Sequence, residues 1–241
     1  MVHLIIFFLV LSLGLGLGSI AITTQQYNLY KLQFIKYLLI FLIALNVVAI
    51  FSIFYNYFKE NLTALPYQYL NIGVEIGYRV FTSIVLFAII GSMIFMLRSL
   101  VNQTPSTIYI RILISLWVLL MVLLFSGLDT MFVNDSIPIP VLANILIDQL
   151  GQYIVLAEVA RSLYFTSIIK DSINRHTTRI FILVVGVIWI AIISLSLMGI
   201  FAHIGYDLFN VISSVIFILL NVLPILFLKT YLRRTHGVIE Q

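Results

Sequence analysis

The sequence predicts an all-α fold, a bundle of seven helices that each cross a membrane. Three observations predict it. The chain of 241 residues is 62% hydrophobic and only 9% charged, with a mean hydropathy of +1.16, whereas soluble domains carry roughly 25% charged residues. Seven apolar stretches are long enough to span, since about 20 apolar residues cross the hydrocarbon core. The basic residues gather in every second connection, the pattern that membrane insertion imposes. The same pattern accounts for the formal charge of +4 without a nucleic-acid partner. The absence of cysteine excludes disulfides and thiolate chemistry.

In chain order the spans are read at about 3–23, 37–58, 72–97, 108–128, 141–168, 180–203 and 207–229, within one domain, 1–241. The first resembles a signal-peptide core over 4–17, with Ser19 and Ala21 suited to cleavage. No basic residue precedes it, and cleavage would invert every later loop, so it is read as retained. Gly14 and Gly18 give it GxxxG spacing, with Gly16 between them, and Gly73 and Gly77 repeat the spacing in span three. Small residues so spaced let helix backbones approach closely, here within the monomer, with a dimer face as the alternative. Asn46 in span two and Ser213, Ser214 and Asn221 in span seven are read as interhelical hydrogen-bonding groups. Pro66, Pro105, Pro138 and Pro140 are placed in connections. Pro224 falls inside span seven, three residues after Asn221, and the two mark a hinge in a helix that moves.

Orientation follows from the basic residues. Lys31, Lys36, Arg98, Arg111, Lys170, Arg175, Arg179, Lys229, Arg233 and Arg234 fall on one side. The other side holds Lys59, with Glu60, Asp129, Asp135 and Asp207. The expectation is an outside N-terminus and a cytoplasmic C-terminus.

The chemistry concentrates in span five, where Asp148–Arg161 reads DQLGQYIVLAEVAR. An ionisable group at the centre of a spanning helix costs about 2.5–3.5 kcal/mol on insertion scales, so it must be paired, hydrated or used. Asp148, Gln149 and Gln152 lie in the outer part, level with Glu75 and Arg79 of span three, whose i, i+4 spacing puts them on one face. His203 closes span six and Asp207 opens span seven at the same side. Together these residues predict a polar cavity open to the outside, walled by spans three, five, six and seven. A structural Glu75–Arg79 ion pair and an ion or proton path are the other readings. Glu158 and Arg161, deeper and i, i+3, form a second polar locus. The simpler expectation there is that Arg161 snorkels to the headgroups; the sharper one is a switch pair that breaks when the bundle rearranges.

Catalytic signals are weak: HExxH, GxSxG and phosphate-loop patterns are absent, and the four histidines divide between the two sides. Neither an enzyme, a cofactor nor a metal site is expected. The rhodopsin pattern fails for want of a lysine in mid-span seven. The opening LGLGSIAITTQQYNLYKLQFIKYLLIFLIAL (Leu15 to Leu45) and the closing LNVLPILFLKTYLRR (Leu220 to Arg234) resemble a group of bacterial seven-span sensor-like proteins. Those proteins stand alone or precede a LuxR-type helix-turn-helix domain. The resemblance implies a receptor-like signalling module of a bacterial inner membrane, with a small polar ligand from outside and a cytoplasmic signalling partner. The alternative expectation is a small transporter or channel subunit with acids lining its path.

Overall fold

The computed structural model describes residues 2–62, 68–103, 107–126, 139–169, 172–201 and 206–236. They form α1 (Val2–Tyr30), α2 (Gln33–Leu62), α3 (Gln68–Leu100), α4 (Thr107–Ser126), α5 (Ile139–Phe165), α6 (Ser172–Phe201) and α7 (Tyr206–His236). A 3-10 turn, Thr166–Ile168, follows α5, and no strand occurs among the described residues. The all-α class is therefore seen. Among the described residues, stretches long and apolar enough to cross a membrane occur in five helices: His3–Tyr30, Gln33–Tyr55, Ser83–Leu100, Arg175–Leu197 and Val211–Leu232. α4 contributes a shorter apolar stretch, Thr107–Leu119. Large side chains such as Phe7, Val122 and Val187 lie exposed on the outside of the bundle, a surface suited to lipid and not to water.

The helices outrun the apolar stretches that predict them. α1 continues through Thr23–Asn28 to Tyr30, so the link to α2 is only Lys31 and Leu32, not the connection of 24–36 expected from polarity. Polarity marks where lipid ends; the helix ends where a cap ends it. Thr24 keeps its hydroxyl satisfied by donating to the Ile20 carbonyl at 2.7 Å. The stop comes at Lys31, whose φ of 53° is left-handed and whose N–H donates to the Tyr27 carbonyl at 2.8 Å, the single-bond αL cap. Pro140 is also corrected: it is the second residue of α5, not part of a connection. In a first helical turn its missing N–H has no intrahelical partner to lose.

α1 packs on α2 and α7, α2 on α3, α3 on α5, α5 on α6, and α6 on α7; α4 lies against α3 and α5. The four helices nominated as cavity walls are thus consecutive neighbours. Ile35, Leu42, Ile90, Ile94, Leu97, Val155, Ile182, Val185 and Trp189 fill the core. At the basic end Phe181 stacks on Phe227 at 3.9 Å, and Phe34 meets Tyr231 edge-on at 5.2 Å, tying α2, α6 and α7 together.

Candidate functional site

The best-defined site lies at the basic end of α3 and α5. α3 ends in the sequence RSLVNQ, where Asn102 takes a φ of 56°. Its N–H donates to the Ser99 carbonyl at 3.2 Å, and the Gln103 N–H donates to the Arg98 carbonyl at 2.9 Å. This pair of bonds is a Schellman cap, with asparagine where glycine is commonest. The cap folds Gln103 back over the last turn of α3, beside Arg98.

Glu158 of α5 points into this corner with its side chain 0% exposed. Arg98 donates to it with two groups, Nε to Oε1 at 3.1 Å and Nη2 to Oε2 at 3.3 Å. That is the fork-on-carboxylate geometry in which arginine binds most strongly. Arg161, one turn further along α5, donates Nη1 to the same Oε1 at 2.8 Å and Nη2 to the Gln103 side-chain oxygen. The Arg98 guanidinium lies over the Tyr109 ring at 4.2 Å and that of Arg161 over Phe165 at 5.0 Å. One carboxylate therefore fastens two arginines, and through them α3, α5 and the first turn of α4. Arg161 does not run out to the headgroups as a lone snorkelling side chain; 32% of its side chain is exposed, and it turns back to Glu158 and Gln103.

The outer residues are placed less completely. Gln149 and Gln152 are buried in α5, and the Oε1 atom of each has no hydrogen-bond partner among the described residues. In α3 the positions of Glu75 and Arg79 are helical, as are Asp148 in α5 and Asp207 in α7, but their side chains lie outside what is described. His203 lies wholly outside the described residues.

Asn221 meets Asn46, as the expectation of interhelical bonding requires. The Asn46 Nδ2 donates to Asn221 Oδ1 at 3.0 Å and to the Leu42 carbonyl at 2.8 Å. Asn221 Nδ2 donates to the Ser12 carbonyl and hydroxyl at 3.2 and 3.1 Å. Ser19 donates to the Asn221 backbone carbonyl at 2.7 Å. That last bond lies one turn before Pro224, in the stretch whose ladder a proline disturbs, and neighbouring hydroxyls are how membrane helices tolerate such a break. Asn221 is thereby tied to α1 and α2.

The glycine spacing misleads. Gly14 and Gly18 face open space, as does Gly77. The close approach belongs to Gly16, where a Cβ would lie 1.8 Å from Asn46 Oδ1. Among the described residues that oxygen has no hydrogen-bond donor. The buried stripe of α1 is Ser12, Gly16, Ser19 and Thr23, a small-xxx-small pattern hidden by glycines on the other face.

Arg98 and Gln103 were not singled out by the sequence reading; Arg98 was counted with the basic connections. Two signals pointed to them. α3 and α5 run the same way and pack together, so Arg98 falls at the depth of Glu158. Asn102 also offers a left-handed cap that returns the chain. Compared with protein-family models, with curated proteins and with solved structures, the chain matches none.

Proposed function

We propose that the chain is a receptor-like signalling module, a seven-span protein of a bacterial cytoplasmic membrane with its N-terminus outside. A small polar ligand enters from outside and engages Glu75, Arg79, Asp148, Gln149, Gln152, His203 and Asp207. The observation that carries the reading is the Arg98–Glu158–Arg161 cluster, which fastens the far ends of the two helices on which most of those residues sit. A ligand that alters how α3 and α5 pack at one end acts on a single ionic lock at the other. Moving a two-state equilibrium from about 1:99 to 99:1 takes about 5.5 kcal/mol. The ligand supplies that difference through its unequal affinity for the two arrangements. α7 then carries the change from beyond Pro224 to the basic helical tail and a cytoplasmic partner.

A panel of small polar molecules tests the reading through thermal unfolding of the detergent-solubilised protein. The expected result is a ligand that raises Tm in the wild type and not in Arg79→Ala, with a lipid-facing Val187→Ala control responding normally. A panel without any Tm shift counts against it.

One observation favours a second reading, a small transporter or channel subunit. The amide oxygens of Gln149 and Gln152, one turn apart on α5, are buried with no hydrogen-bond partner among the described residues, as polar groups lining a solute path would be. Solute flux in proteoliposomes, abolished by Asp148→Asn, would select this reading over the receptor.

A further inference from the structure

The ionic cluster is not balanced. Arg98 and Glu158 form a two-bond pair that is neutral and nearly sealed, with side chains 6% and 0% exposed. Arg161 is the surplus cation. Among the described residues it gives one hydrogen bond to Glu158 and one to Gln103, fewer than the five N–H groups that a guanidinium carries. Among the described residues its carboxylate partner is Glu158 alone. It is also the accessible member of the cluster. On the helix surface its neighbours at i−4 and i+3 are Ala157 and Tyr164, both exposed, as is Ala160. Ala157 and Ala160 are small, and Tyr164 is an aromatic at the end of a membrane helix, where headgroups begin. The basic end of the bundle adds exposed Arg111, Arg175 and Arg179 from α4 and α6. Basic residues gathered at the cytoplasmic end of a helix bundle are what attracts anionic headgroups.

We propose that Arg161 binds the phosphate of an anionic phospholipid of the inner leaflet, exchanging its bond to Glu158 for bonds to the phosphate oxygens. Arg98 keeps Glu158 paired throughout, so the exchange strands no buried charge. This deepens the lock reading: it identifies which of the two arginines lets go and what takes its place.

The test uses the full chain, delipidated in a neutral detergent, with thermal unfolding and retained lipid measured by native mass spectrometry. Phosphatidylglycerol is expected to raise Tm by several degrees and to stay bound, as binding to the folded state alone requires. Phosphatidylcholine and inorganic phosphate are expected to do neither. In Arg161→Gln the phosphatidylglycerol response disappears, while Lys36→Gln, exposed on α2, keeps it. Arg161→Lys, which retains the charge but not the fork, keeps a reduced response and covers the case in which Arg161→Gln does not fold. An equal response in Arg161→Gln, or in Arg161→Lys and the wild type where Arg161→Gln does not fold, would overturn the site. Stabilisation by inorganic phosphate alone would overturn the lipid as its occupant. The readout is lipid-dependent stability, so failure of the receptor reading leaves it standing, and a responsive receptor indifferent to phosphatidylglycerol would sink the lipid site only.

Discussion

Glu158 decides how the basic end of this bundle is held. A carboxylate sealed from solvent and bonded to two guanidiniums is tolerated because every partner is present, and removing one leaves a buried charge. Glu158→Gln, which removes the carboxylate that Arg98 and Arg161 share, is expected to destabilise the protein by about 3–5 kcal/mol, read from unfolding in mixed micelles. Replacing Arg98 and Glu158 together by Met and Leu should recover most of that loss, because apolar isosteres remove the need for a partner. A double variant as unstable as Glu158→Gln would mean that packing, not charge, dominates there. Gly16 makes a second residue-level prediction. A methyl group placed 1.8 Å from Asn46 Oδ1 must displace that amide and its bond to Asn221. Gly16→Ala is therefore expected to lower Tm, while Gly14→Ala, facing open space, leaves it unchanged or raises it. Equal effects in the two variants would contradict the placement. The sequence made Gly14 and Gly18 conspicuous by their spacing, yet spacing states which residues share a face and not which face is buried. The serines at 12 and 19 held that information, since a hydroxyl costs least where another helix supplies its partner.

Among the elements, α7 shows how a proline is accommodated in a helix that stays continuous. Ser19 of α1 donates to the Asn221 carbonyl, and Asn221 in turn joins Asn46 and Ser12. Interhelical bonds of this kind are worth about 0.6 kcal/mol on average and up to about 1.7. A double-mutant cycle on Asn46→Ala and Asn221→Ala is expected to show a coupling of that size, whereas Asn46 paired with a distant lipid-facing residue such as Val187 should show none. The meeting of Asn46 with Asn221 was legible in the sequence, because an amide in a spanning helix needs a partner and few were available. The ends of the elements were not legible from polarity. α1 continues through a run of threonine, glutamine and asparagine in which Thr23 packs into the bundle, Thr24 bonds its own helix and Gln25 and Asn28 face outward, until the left-handed Lys31 stops it. Arg98 was misfiled for the same reason. It lies past the apolar run of span three but still inside α3, and a residue inside a helix can turn back into the bundle where a loop residue would not.

For the whole molecule, composition and hydropathy settle the class, and the all-helical architecture with five membrane-length apolar stretches agrees with it. The proposed topology is open to a clean test, because the chain has no cysteine and each introduced thiol is the only one. Cysteines at Leu32 and Ser167, both exposed at the basic end, are expected to react with an impermeant maleimide only after the cells are opened. Labelling in intact cells would invert the orientation and with it the side from which a ligand enters. α3, α5, α6 and α7, nominated as cavity walls from their polar residues, are consecutive neighbours. That a carboxylate at one end would hold two arginines was not anticipated, because the contact joins residues 60 positions apart and no local spacing encodes it.

The central claim is that the Arg98–Glu158–Arg161 cluster holds the basic ends of α3 and α5 together. Its most direct measurement is the distance between spin labels at Ser99→Cys and Ser167→Cys by pulsed electron resonance in lipid nanodiscs. The wild-type background is expected to give one narrow distribution, and Glu158→Gln a broadened distribution with a second, longer component. A folded Glu158→Gln protein with the same single narrow distribution would contradict the lock.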